Sequence, residues 1–144
     1  MATILFLCVH NAGRSQMAEA IFNRLAKERG LTYTAESAGT ELADRVHPTV
    51  VEAMAEIGLD ISGESPRLLT NRMVEQAQRV ITMGCAVDSK ACPAIHLREV
   101  EDWGLPDPKD MELAEVGAVR DTIRGNVEAL LRTFRHVASR QLAE

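Results

Sequence analysis

Hydrophobic positions along the chain fall into two patterns. Short, nearly continuous apolar runs occur at Ile4-Leu5-Phe6-Leu7 and Val80-Ile81-Thr82-Met83. Such runs predict strands buried on both faces of a parallel sheet. Thr32–Ser37 and Ala94–Val100 are strand candidates of more mixed character. Elsewhere apolar residues recur at spacings of three and four, which predicts helices with one buried stripe. Ser15–Arg29 reads as a helix with Met17, Ala20, Ile21 and Leu25 inward and Gly30 as its stop. His47–Ile57 reads as a second helix, with Pro48 in its first turn and Gly58 at its end. Asn71–Gln78 is a short third. Glu112 to about Ala143 is one long helix, carrying Val116, Val119, Ile123, Val127, Leu130, Leu131, Phe134 and Val137 on one face. Trp103–Pro108 reads as a loop. Strands alternating with helices predict an α/β fold. The expected form is a single three-layer domain, residues 1–144, with a four-stranded parallel sheet flanked by helices.

In such sheets ligands bind beyond the carboxyl ends of the strands. Three chemistry-bearing residues fall there in chain order: Cys8, Cys85 and Asp107. The stretch Cys8-Val9-His10-Asn11-Ala12-Gly13-Arg14-Ser15 joins the first strand to the first helix. Successive loop N–H groups can converge on one point, and the helix adds its positive end. Gly13 tolerates the backbone angles of such a loop. The planar fork of Arg14 matches two oxygens of a tetrahedral oxyanion. Donors and positive charge there favour a Cys8 thiolate, a nucleophile aimed at the central atom of a bound oxyanion. The spacing of Cys8 and Arg14 alone is weak evidence; strand, glycine, serine and helix around it carry the weight.

Composition narrows the choice. A net charge of −5 argues against nucleic acid as the main partner. No apolar run is long enough to span a membrane, and Ile4–Val9 is too short for a signal peptide. A cytoplasmic protein is expected. Three cysteines in a reducing compartment do not make a structural disulfide framework. Cys85 and Cys92 lie seven positions apart. On a helix they would share a face but sit about 10 Å apart along the axis, whereas a disulfide needs Cα atoms within about 7 Å. The expectation is a redox switch: helical when reduced, looped out when oxidised, with Pro93 ending the segment. Packed core thiols are the plainer alternative. Zinc held by Cys85, Cys92 and His96 lacks a fourth local ligand. His47, His96 and His136 belong to no constellation that calls for catalysis.

Cys8 to Glu19 resembles the phosphate-binding loop of the low-molecular-weight tyrosine phosphatase superfamily, whose branches include phosphatases and thioredoxin-coupled arsenate reductases. The likeness extends through Glu36-Ser37-Ala38-Gly39-Thr40, Gly58-Leu59-Asp60-Ile61-Ser62 and Trp103-Gly104-Leu105-Pro106-Asp107-Pro108. The Cys85/Cys92 spacing is similar to that of the reductases. That resemblance implies reduction of arsenate to arsenite and a role in arsenical resistance. It implies Cys8 as nucleophile, Cys85 as resolving thiol, Cys92 as the thiol that passes the disulfide to thioredoxin, and Asp107 as the acid. Asn11, Gly13, Arg14 and Ser15 would form the oxyanion site, with Glu19 and Ser37 as supports. Asp107 could instead be a turn residue before Pro108. Arsenate and thioredoxin are the implied partners, and no cofactor is called for. Some reductases bind potassium near residues that correspond to Asn11, Glu19 and Ser37, but this chain supplies no full ligand set and no metal is expected. Gly13 stands where many members carry a second cysteine, and His10 where glycine is usual. The phosphatase branch is the alternative function. Against it stand the 3% aromatic content and Lys109, where those enzymes resemble one another in having tyrosine. A protein that binds oxyanions or senses redox state without turnover is a third possibility.

Overall fold

The structure is a computed structural model that describes residues 3–84 and 100–143, with side chains described as far as Phe134. Its elements in chain order are β1 (Thr3–Leu7), α1 (Arg14–Glu28), β2 (Thr34–Ala38), α2 (Pro48–Ala55), α3 (Asn71–Gln76), β3 (Arg79–Thr82), β4 (Val100–Asp102) and α4 (Leu113–Ala143). The four strands form one sheet in the order β2-β1-β3-β4, and every pairing is parallel. Leu7 of β1 stands opposite Ala38 on one side and Thr82 on the other. The chain therefore leaves β1 where the strand order reverses, which is where sheets of this kind hold ligands.

Alternation along β1 divides the core. Ile4 and Phe6 face the larger cluster, with Met17, Ile21 and Phe22 of α1, Val50 and Met54 of α2, and Val116, Ile123, Val127 and Leu131 of α4. Leu5 and Leu7 face the smaller one, with Leu69, Val74 and Ala77 around α3. Helices thus cover both faces, and the continuous apolar run of β1 follows directly from that. Phe6 sits between Phe22 and Trp103, with ring centroids 6.1 and 5.4 Å away.

The first helix and the last strand depart from the expected bounds. The buried stripe of α1 runs through Met17, Ala18, Ile21, Phe22, Leu25 and Ala26, and Ala20 is only half-buried. The helix also starts one residue early, at Arg14, and its whole first turn is buried. The last described strand lies at Val100–Asp102, beyond most of the span expected for it. Glu101 and Asp102 pair with Ile81 and Thr82, and their polar side chains put this end of the strand beyond any reading of hydrophobic pattern. Residues 94–99 lie outside the described residues, as do Cys85, Cys92 and His96.

Candidate active site

The loop after β1 is built around Asn11. This residue has φ of 51°, in the left-handed region, where asparagine is among the few side chains tolerated. Its side chain secures the conformation. The backbone N–H of Arg67 donates to Asn11 Oδ1 at 2.8 Å and Gln16 Nε2 donates to the same oxygen at 3.0 Å. A backbone N–H can only donate, so this contact fixes which way the amide faces. Asn11 Nδ2 then donates to Ser15 Oγ at 2.8 Å. Ser15 Oγ lies 2.8 Å from Cys8 Sγ. With its lone pair engaged by Asn11, the serine hydroxyl has its proton free for the sulfur. The result is a directional chain from Arg67 through Asn11 and Ser15 to Cys8, wholly buried at its last three members.

Arg14 is anchored by one nitrogen. Nη1 donates to Met83 O at 3.0 Å and to Leu105 O at 2.9 Å. These carbonyls follow β3 and β4, so one guanidinium ties the loop to two neighbouring segments. Nη2 lies 3.9 Å from Asp107 Oδ2. Nε is buried with no hydrogen-bond partner among the described residues. The anchoring thus leaves the Nε/Nη2 edge, the edge that grips two oxygens side by side. Arg14 lines one small cavity together with Cys8, His10, Ala12, Gly13, His47 and Asp107. Cys8 is almost wholly buried at 3% exposure, whereas Asp107 stands half exposed at the rim. Asp107 Oδ1 accepts from the Lys109 N–H at 3.0 Å, an aspartate turn that orients the carboxylate.

The structure therefore brings together Cys8, Asn11, Gly13, Arg14, Ser15 and Asp107. Glu19 and Ser37 lie behind the loop, where Ser37 Oγ donates to Glu19 Oε1 at 3.0 Å. Arg67 completes that cluster, with Nη1 2.6 Å from Glu19 Oε1 and 3.3 Å from Ser37 O, and Nη2 3.0 Å from Glu64 Oε2. Its hydrogen bond to Glu19 raises the guanidinium's already high pKa further, against the opposing effect of burial. A fixed positive charge thus occupies the place beside Asn11, Glu19 and Ser37, and these residues do not fit a potassium ion. Among the described residues no group of three or more histidine, cysteine or carboxylate side chains could hold a metal.

Four participants were not singled out for the site from the sequence. Arg67 carried no periodic or motif signal and only the fold brings it to Asn11, whereas Gln16 reaches Asn11 locally, from the first turn of α1. His47 lines the cavity because its backbone N–H donates to Ala12 O at 2.9 Å. Asp102 is the fourth. Its Oδ1 accepts from Gly84 N at 2.7 Å, Thr82 Oγ1 at 3.1 Å and Gly104 N at 3.2 Å. These donors hold its carboxyl below the usual range, the Gly104 N–H contributing most. His10 is exposed, and its Nδ1 lies 2.6 Å from Glu41 O.

The Asp102 bonds carry a pH-dependent prediction. A carboxyl whose folded pKa is depressed stabilises the fold above its unfolded value of about 3.9, and that contribution is lost as pH falls through the lower folded value. Asp102→Ala is expected to lower the melting temperature by about 3 °C at pH 7, for roughly 1 kcal/mol at this exposed position. The gap between variant and wild type should close as the pH is taken towards 3. A gap that stays constant across calorimetric scans from pH 7 to pH 3 would contradict the ionic origin of the effect.

An α/β domain with a cysteine and an arginine lining one small cavity at the end of its first strand defines the class. Comparison with known proteins agrees. Residues 3–141 match the low molecular weight phosphotyrosine protein phosphatase family, and the chain belongs to it. It is 39% identical to a Halobacterium salinarum protein described as a candidate arsenate reductase, over 90% of each chain. It is 37% identical to the arsenate reductase of Staphylococcus xylosus, over 88% of this chain and 93% of that one. Among solved structures, an arsenate reductase in its phosphate-binding state superposes with a TM-score of 0.77 at 32% identity, covering 92% of this chain and 98% of that one. The thioredoxin-dependent arsenate reductase of Corynebacterium glutamicum superposes at 0.72 and 32% identity, covering all of this chain and 64% of that one.

Proposed function

We propose that the protein reduces arsenate to arsenite with Cys8, Cys85 and Cys92 as a three-thiol relay regenerated by thioredoxin. The observation that carries the reading is the buried Arg14, anchored through Nη1 in one cavity with Cys8, with Nε unpartnered among the described residues and Nη2 no nearer than 3.9 Å to Asp107. Relatives named as arsenate reductases support the choice of oxyanion. Arsenate sits against Arg14 and the loop N–H groups. The Cys8 thiolate attacks arsenic, and the departing oxygen takes a proton from Asp107. The Cys85 thiolate then attacks Cys8 Sγ. The S–As bond breaks, its electron pair stays on arsenic, and As(V) leaves as As(III). Cys92 attacks Cys85 and frees the Cys8 thiolate. Thioredoxin supplies two electrons to the Cys85–Cys92 disulfide. The pairing of β1 with β3 supports the second step, because Met83 N donates to Leu7 O at 3.0 Å and Cys85 follows two residues later.

The test is NADPH oxidation with arsenate, thioredoxin and thioredoxin reductase. Wild type is expected to turn over continuously. Cys92→Ser should complete one turnover per molecule and stop, with a Cys8–Cys85 disulfide visible by mass spectrometry. Sustained turnover by Cys92→Ser would reject the relay. A phosphatase reading uses the same Cys8, Arg14 and Asp107. The described residues lining the cavity include no phenylalanine, tyrosine or tryptophan to flank a phenyl group, so the arsenate reading is preferred. Efficient hydrolysis of p-nitrophenyl phosphate without arsenate-dependent NADPH oxidation would reverse that preference.

A further inference from the structure

The loop that carries Asp107 is docked on the cradle at three points. Arg14 holds Leu105 O. The backbone of Leu105 lies against Gly84, where a Cβ would stand 2.5 Å from Leu105 N and 2.6 Å from Leu105 O. Pro108 lies against Gly13, where a Cβ would stand 2.7 Å from Pro108 Cγ and 3.5 Å from its Cδ. Real Cβ atoms essentially never come within 3.0 Å of another heavy atom, so both contacts require glycine or a displaced loop. Pro108 is buried by this contact, although Asp107 and Lys109 on either side are exposed.

We infer that Gly13 is a positioning residue for the acid: the bare Cα in the nucleophile loop admits the Pro108 ring and thereby holds Asp107 over the cradle before any substrate arrives. This role rests on the reading of Asp107 as the proton donor. A proline ring closes on its own backbone nitrogen. It cannot swing clear as a free side chain would, and ring pucker moves Cγ only slightly, so a methyl group at position 13 presses on the Asp107–Pro108 segment. Of the side-chain contacts of Asp107, the Lys109 N–H bond is local to the loop, and the 3.9 Å ion pair with Arg14 is at the limit of contact and half exposed. Misplacing a proton donor matters most when the leaving oxygen is a poor leaving group.

The experiment compares wild type, Gly13→Ala, Pro108→Ala and the double variant on p-nitrophenyl phosphate and phenyl phosphate, with inorganic phosphate as inhibitor. Gly13→Ala is expected to lower kcat/KM by about tenfold on phenyl phosphate, within the range of general-acid effects, and markedly less on p-nitrophenyl phosphate. Phosphate inhibition, measured on the same variants, reads any loss of oxyanion binding separately from misplacement of the acid. Adding Pro108→Ala removes Cγ and should restore most of the loss. The Lys109 amide resonance, whose N–H is bonded to Asp107, should shift in Gly13→Ala and return in the double variant. Equal losses on both esters, phosphate binding that weakens in step with rate, or a double variant no better than Gly13→Ala would overturn the inference. If the wild type reduces no arsenate, the proposed reduction falls by itself, and the esters and the Lys109 resonance still report on Gly13.

Discussion

Replacing Cys8 with serine is expected to abolish arsenate reduction, by four orders of magnitude or more, while the protein keeps its fold and still binds phosphate. Removing a nucleophile leaves only binding and charge stabilisation, which gives losses on the order of 10⁴ to 10⁶ in enzymes that form covalent intermediates. The loss here should be complete in practice, because sulfur is also the redox atom. A serine oxygen could be esterified by an oxyanion, but it could not accept the attack of Cys85 and release arsenic with two extra electrons. The fold should tolerate the exchange. Cys8 is buried, yet Ser15 Oγ stands 2.8 Å from its sulfur and can bond a hydroxyl in the same place. Steady-state NADPH oxidation, phosphate titration by calorimetry and a thermal melt check the three parts together. Residual turnover within about a hundredfold of wild type would place the nucleophile elsewhere.

Arg14→Lys is expected to lower kcat/KM for arsenate by about 10²- to 10³-fold, the scale of losing one preorganised donor from an oxyanion site. The charge survives the substitution, so a site that needed only positive potential would lose far less. Arginine does two jobs in this structure that lysine cannot combine. Nη1 satisfies the carbonyls of Met83 and Leu105, and the opposite edge remains for the substrate. A single ammonium can serve the carbonyls or the oxyanion, not both in the same geometry. Two carbonyls deprived of their donor also cost stability, so a lowered melting temperature should accompany the kinetic loss. Kinetics and a melt on the same preparation separate the two effects. A kcat/KM within tenfold of wild type would mean that the Nε/Nη2 edge does not grip the substrate.

Both variants act on residues that were legible before any coordinates. Apolar runs and helical spacing marked β1, β3, α1 and α4 because each element packs a regular face into the core. The oxyanion loop was legible because its parts are contiguous: strand, Cys8, Asn11, Gly13, Arg14, Ser15 and helix follow one another within a dozen residues. The Glu101–Asp102 end of β4 was missed, since these residues expose their side chains and owe their strand state to backbone pairing with β3. Arg67 could not be found, because its N–H reaches Asn11 from 56 positions away, and a donor without a side-chain signature leaves no pattern.

Local order in the sequence was enough for what contiguous residues can hold: an α/β domain, and a cysteine and an arginine fork within one loop after the first strand. Tertiary structure decided what depends on segments distant in sequence. It set β1 between β2 and β3, and so placed the cradle at the reversal of strand order. It gave Arg14 its two carbonyl anchors, put the Arg67 charge behind the loop, and seated Pro108 on Gly13. Close approach of one backbone to another is a property of the packed chain, and a glycine in a sequence does not reveal which neighbour it makes room for.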